Sequence, residues 1–135
     1  MFKENVTFTC RIDGTEKTEQ RTATLGYCYA TEIAYKDLAD EDMLDYAKHA
    51  LESIQAQRDP DIKRTIFAII ASMMAYYEDA GKAPVKDSDI MKEATPVEIG
   101  TAMLTILSMR SDFYHVPSGE PEEKTKDGQD AEKNA

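Results

Sequence analysis

The sequence has no tryptophan and only two cysteines, Cys10 and Cys28, in 135 residues. They form no CxxC pair, so neither a disulfide framework nor a thiolate metal site is indicated; a single bridge stays open, and a reduced, cytoplasmic setting fits. Positive charge is also scarce. Lys plus Arg number 16 against 26 Asp plus Glu, a formal net charge of -10, which disfavours a phosphate backbone as partner and argues against nucleic-acid binding. No uncharged run approaches the ~20 residues a bilayer requires, and the opening MFKENVTFTC lacks the apolar core of a secretory signal. Neither membrane insertion nor export is expected. The six glycines are isolated and none opens a helix after a hydrophobic strand, which excludes a phosphate-cradling loop.

Catalytic constellations are equally scarce. The only nucleophile and base combinations are Cys10 or Cys28 with His49 or His115, and their settings read as packed small hydrophobes and solvated histidines. The acids Asp37, Asp40, Glu41, Asp42 and Asp45 lack the glycine and spacing of a calcium loop, and helix capping accounts for them, as it does for Asp87 and Asp89. The expectation is therefore a non-enzymatic chain with no catalytic residue, no metal and no cofactor.

What is present is a hairpin signal followed by helices. Val6, Phe8, Cys10 and Ile12 alternate with Thr7, Thr9 and Arg11, the period of a half-buried strand over Val6 to Ile12. Asp13-Gly14 suggests a two-residue type I′ turn, although the returning stretch TEKTEQRTATL is mostly polar and makes a less secure strand. A helix from about Tyr27 to Leu38 follows, with Tyr27, Ala30, Thr31, Ala34 and Leu38 on one face and Glu32 and Lys36 on the other. Asp40 is a plausible N-cap for the next helix, to about Gln57, with Met43, Leu44, Ala47, Ala50, Leu51 and Ile54 as its apolar arc.

The organising element is the stretch Asp59 to Gly81, DPDIKRTIFAIIASMMAYYEDAG. Asp59 suggests an N-cap, Pro60 a first helical residue and Gly81 a left-handed stop. Ile62, Ile66, Ile69, Ile70, Met73, Tyr76 and Tyr77 form a broad apolar stripe, and the opposite side is small, with Ala68, Ala71, Ser72 and Ala75. Small residues in place of Lys and Glu suggest that a second helix or a partner approaches there. Phe67, Ala68, Ala71, Met74 and Ala75 are thus the candidate protein-binding residues. Asp87 or Ser88 suggests the start of a short helix through Ala94, and Thr95-Pro96-Val97-Glu98 is a capping box opening a last helix to about Tyr114. The acidic stretch after Val116 has no large apolar residue and predicts a disordered tail. The expected fold is mainly α, of the α+β class: an N-terminal β-hairpin packed on four to five helices over residues 1–115, then a disordered acidic tail over 116–135.

The hairpin FTCRIDGTEK, the T-L-G lead-in at Thr24, Leu25 and Gly26, the acidic break DLADEDM, the long apolar helix and TPVEIG before the last helix together resemble the tail assembly chaperones of long-tailed bacteriophages and prophages. The resemblance spans roughly Val6 to Tyr114 and rests on order and spacing. It implies a non-enzymatic cytoplasmic protein that binds the tape measure protein and tail tube subunits during assembly, is absent from the finished particle, and is sometimes extended by frameshifting near the end of the gene. The second expectation, of another class, is an acidic mimic of DNA or other small protein-binding regulator. Whether the outer faces close on a second copy, giving a homo-oligomer, stays open in the sequence.

Overall fold

Alternation of apolar and polar residues produces the first layer. In the computed structural model, which describes residues 1–78 and 82–115, β1 (Phe2–Arg11) pairs antiparallel with β2 (Thr18–Tyr27), in a register running from Phe2 opposite Tyr27 to Arg11 opposite Thr18. Val6, Phe8, Cys10, Ala23, Leu25 and Tyr27 enter the core. Asn5, Thr7, Gln20 and Thr22 occupy the other face and are exposed. The returning strand is a full ten residues long; Gln20, Thr22 and Thr24 stand on the face away from the core, while alternate residues hydrogen-bond to β1. Tyr27, expected in a helix, is the last residue of this strand.

The turn departs from the two-residue form. Ile12 N–H donates to Lys17 O at 2.9 Å and Thr15 N–H to Ile12 O at 3.0 Å, so Asp13 and Gly14 form the centre of a tight turn within a longer loop. Only Gly14 takes a positive φ, 79°, whereas type I′ needs it at both central positions.

Five helices follow: α1 (Tyr29–Ala39), α2 (Met43–Gln55), α3 (Ile62–Tyr77), α4 (Asp87–Lys92) and α5 (Pro96–His115). This is the mainly α, α+β arrangement expected from the sequence. Two predicted caps move. Asp40 adopts a left-handed conformation, φ 57°, and ends α1, leaving Asp42 at the N-cap of α2; Asp tolerates that region better than most residues, so it serves as a stop as readily as a start. In α3 the N-cap is Asp61, whose carboxylate accepts from Arg64 N–H at 3.1 Å, and Asp59 and Pro60 lie ahead of the helix. Asp61 prevails because it stands three residues before a free amide it can reach. The helix ends with Glu78 at φ 60°; the expected stop at Gly81 and the acidic tail lie outside the described residues.

The helices cover one face of the hairpin, with α3 packed against β2, α1 and α5, and α5 also against β1. The chain comes close to α3 at Gly26. A Cβ there would lie 3.2 Å from Tyr76 Cβ and 3.4 Å from its Cα. The Met1 sulfur, 2.5 Å from the same point, sits on a flexible chain and can move, but the backbone of α3 cannot. Gly26→Val is therefore expected to destabilise the fold by about 1–2 kcal/mol in urea unfolding, and Gly26→Ala by less. An unchanged midpoint for the valine variant would show that α3 yields.

Candidate binding surface

The small face of α3 is in the core. Ala68, Ala71 and Ser72 are fully buried, Phe67 and Met74 pack partly buried against the core cluster, and Ala75 is half-buried. The expectation that a neighbour approaches closely there holds, but the neighbours are this chain's own elements. With α1, β2 and α5 around it, α3 is enclosed on most sides, and the small side chains Ala68, Ala71 and Ser72 lie inside the core. Ile62, placed on the core stripe by periodicity, is instead half exposed. As a free docking face, the set Phe67, Ala68, Ala71, Met74 and Ala75 is therefore corrected.

Buried polar groups lock this packing. Tyr46 O–H donates to Thr65 Oγ1 at 3.0 Å and Ser72 O–H to Ala68 O at 2.9 Å. Desolvation pushes the Tyr46 hydroxyl up to about 12, so it remains a donor. Glu32, expected to face solvent, is turned inward: it accepts from Tyr27 O–H at 2.8 Å and from Tyr114 O–H at 2.6 Å, with Arg110 Nε at 3.7 Å. It ties the start of α1 to the end of α5. Burial first, then the Glu32 carboxylate, raises the Tyr27 hydroxyl far above its ordinary value. Glu41 does the same for the junction of α1 and α2, accepting from Tyr35 O–H and pairing with Arg64 Nη2 of α3 at 3.2 Å. Part of the acidic cluster thus holds the fold together.

Among the described residues no group of three or more His, Cys, Asp or Glu side chains is arranged to hold a metal ion. Both cysteines are free; Cys10 is buried in the sheet face, where desolvation raises its thiol. No described helix is long and apolar enough to cross a membrane.

Exposed apolar side chains mark the surface best suited to a partner. On α1, Tyr29 is 66% and Ile33 63% exposed, one helical turn apart on the same face. They line a shallow groove of about 400 Å³ with Glu32, Lys36, Asp37 and Asp42. The Tyr29 ring stands edge-on to Phe113 of α5, centroids 5.0 Å apart, which fixes it in place before any partner arrives. Of the arc expected on α2, Met43, Ala47 and Ala50 are buried, together with Tyr46 and Ser53, but Leu44, Leu51 and Ile54 are exposed and form a second apolar strip. Periodicity identified Leu44, Leu51 and Ile54 but assigned them to the core, and it did not bring out Ile33. Comparison with known proteins finds no matching family model, no matching curated protein and no matching solved structure.

Proposed function

We propose that this protein is a small cytoplasmic assembly chaperone of the long-tailed phage type, which acts by binding alone and keeps helical segments of a tape measure protein soluble while tail tube subunits are recruited. The observation that carries the reading is the Tyr29 and Ile33 pair, an exposed aromatic and aliphatic anchor at helical spacing beside a charged rim. Such a pair suits the apolar face of an amphipathic helix, and the acidic surroundings suit basic residues flanking it. The exposed Leu44, Leu51 and Ile54 supply further area for a long partner. The acid count alone suits a DNA mimic as well, but Glu32, Glu41, Asp89 and Glu98 have intramolecular partners, and no specific observation favours that reading.

Co-expression with a long, helical tape measure protein is expected to raise that protein's soluble yield. Ile33→Glu should weaken binding of the purified helical segment about tenfold or more, roughly 1.4 kcal/mol, as for a modest interface anchor. Its own melting temperature should move little, because an exposed substitution away from caps and core contributes within about 0.5 kcal/mol. Equal affinity of wild type and variant by calorimetry would rule out α1 as the docking face.

A further inference from the structure

The hydrogen-bonding pattern of the hairpin leaves a stretch of the β2 edge open. Thr9 N–H donates to Glu98 Oε1 at 2.9 Å and Arg11 N–H to Asp89 Oδ1 at 3.0 Å, so these amides of β1 point away from β2 and are occupied. In an antiparallel ladder, residues directly opposite each other share this orientation. Gln20 is opposite Thr9, Thr22 opposite Thr7 and Thr24 opposite Asn5, so the amides and carbonyls of these β2 residues also point outward, on the other edge. Thr24 N–H confirms the orientation by donating to Tyr77 Oη at 3.1 Å. Among the described residues nothing accepts from the amides of Gln20 or Thr22, and Thr18, Glu19, Gln20 and Thr22 are all exposed. The open segment is therefore Thr18–Thr22, bounded on one side by the Tyr77 contact and on the other by the turn.

We infer that this edge pairs with the same edge of a second copy of the chain, continuing the two-stranded hairpin into a four-stranded antiparallel sheet in the order β1, β2, β2, β1. The sequence of the edge selects this occupant because it is self-complementary about Gln20. With Gln20 opposite its own equivalent on a two-fold axis, Thr18 meets the second copy's Thr22 in hydrogen-bonded positions, and Glu19 meets the second copy's Arg21 in the closer, non-hydrogen-bonded positions. Glu19 and Arg21 already pair along the strand, with Nε to Oε2 at 2.9 Å. The two copies would thus place four charges in a square of alternating sign, attractive along the strands and across them. A shift of two residues places Arg21 against Arg21 and is disfavoured by like charge. The pairing uses none of the apolar residues on α1 or α2, so it stands or falls independently of the chaperone reading. Five residues a side form a small interface, below the area of a standard stable complex, so association should be reversible and concentration-dependent.

Sedimentation velocity on the full chain, between about 10 μM and about 1 mM where weak interfaces dissociate, tests the inference. Wild type is expected to shift from monomer to dimer across that range. Arg21→Glu and Glu19→Arg each place like charges at both cross-strand positions and should weaken self-association about tenfold or more. Mixed at equal concentration, the two variants should form a heterodimer, because each supplies the sign the other lacks. Thr22→Pro removes an amide that points away from β1, and should abolish dimerisation while leaving the circular dichroism spectrum of the fold. A wild type that stays monomeric throughout, or an Arg21→Glu variant that dimerises as wild type does, overturns the proposal.

Discussion

Ala71→Leu is expected to lower the free energy of unfolding by about 3 kcal/mol, the upper part of the range for overpacking a closed core. Ala71 is fully buried, and so are Ala68, Ser72 and Ile70 beside it on α3. A leucine adds three carbon atoms at the closed centre of that face, where only the bordering Phe67, Met74 and Ala75 are partly exposed. The alternatives are displacement of α3 from its neighbours or an off-rotamer side chain, and both are costly in a core packed as densely as an organic crystal. For a domain whose total stability is of the order of 5–15 kcal/mol, such a loss brings the unfolded state within reach of ordinary temperature. Urea titration should show a lower midpoint with an unchanged slope, the mark of altered stability without altered exposure on unfolding. The outcome separates two roles for the small face. A docking surface would accept leucine with full stability and lose only partner binding; an Ala71→Leu variant as stable as wild type would mean that the face opens in solution.

How far the fold was legible follows from how local each signal is. The hairpin and the capping box were readable because their partners lie close in the chain: Thr95 and Glu98 exchange hydrogen bonds three residues apart, at 3.0 and 3.2 Å. The orientation of α3 was not, because a helical wheel assumes one core and one solvent side. An enclosed helix has little solvent side, and alanine then marks where a neighbour comes nearest without revealing that the neighbour is the same chain. Asp40 illustrates a second kind of ambiguity, since aspartate suits both an N-cap and a left-handed stop, and only the path of the chain decides. Glu32 read as solvated because its partners, Tyr27 on a strand and Tyr114 near the end of α5, share no helical period with it. Tyr29 and Ile33 stand out only once their neighbours are placed, since periodicity reports which residues share a face and not whether anything covers it. The strand edge at Gln20 is the same case: its side chains are read from the sequence, its unpaired amides only from the register.

Glu98→Ala should approach Ala71→Leu in effect, at about 2–3 kcal/mol near neutral pH, because one carboxylate closes two structures at once. Its Oε1 accepts from Thr95 N–H at 3.0 Å, capping α5, and from Thr9 N–H at 2.9 Å, capping the edge of β1; Oε2 accepts from Thr9 Oγ1 at 2.9 Å. Hydrogen bonds to a charged acceptor are each worth roughly 1.5–3 kcal/mol, and partial exposure and water replacement keep the total below their sum. Burial pushes the Glu98 carboxyl up, but the amides of Thr95 and Thr9 and the Thr9 hydroxyl outweigh it and hold the group below its ordinary value of 4.5. A carboxyl lowered in the folded state binds its proton more readily in the unfolded chain. Its contribution is therefore fully present above 4.5 and is lost as pH falls through the lower folded value. Glu98→Gln keeps an acceptor oxygen but has no charge to lose, so it should fall between wild type and alanine at neutral pH and should lack this acid dependence. The stability gap between wild type and the glutamine variant should narrow on acidification below 4.5, as the wild-type carboxyl becomes protonated. A gap of constant size from neutral to acid pH would show that Glu98 acts through packing or geometry, and that its charge contributes nothing to holding α5 against the sheet.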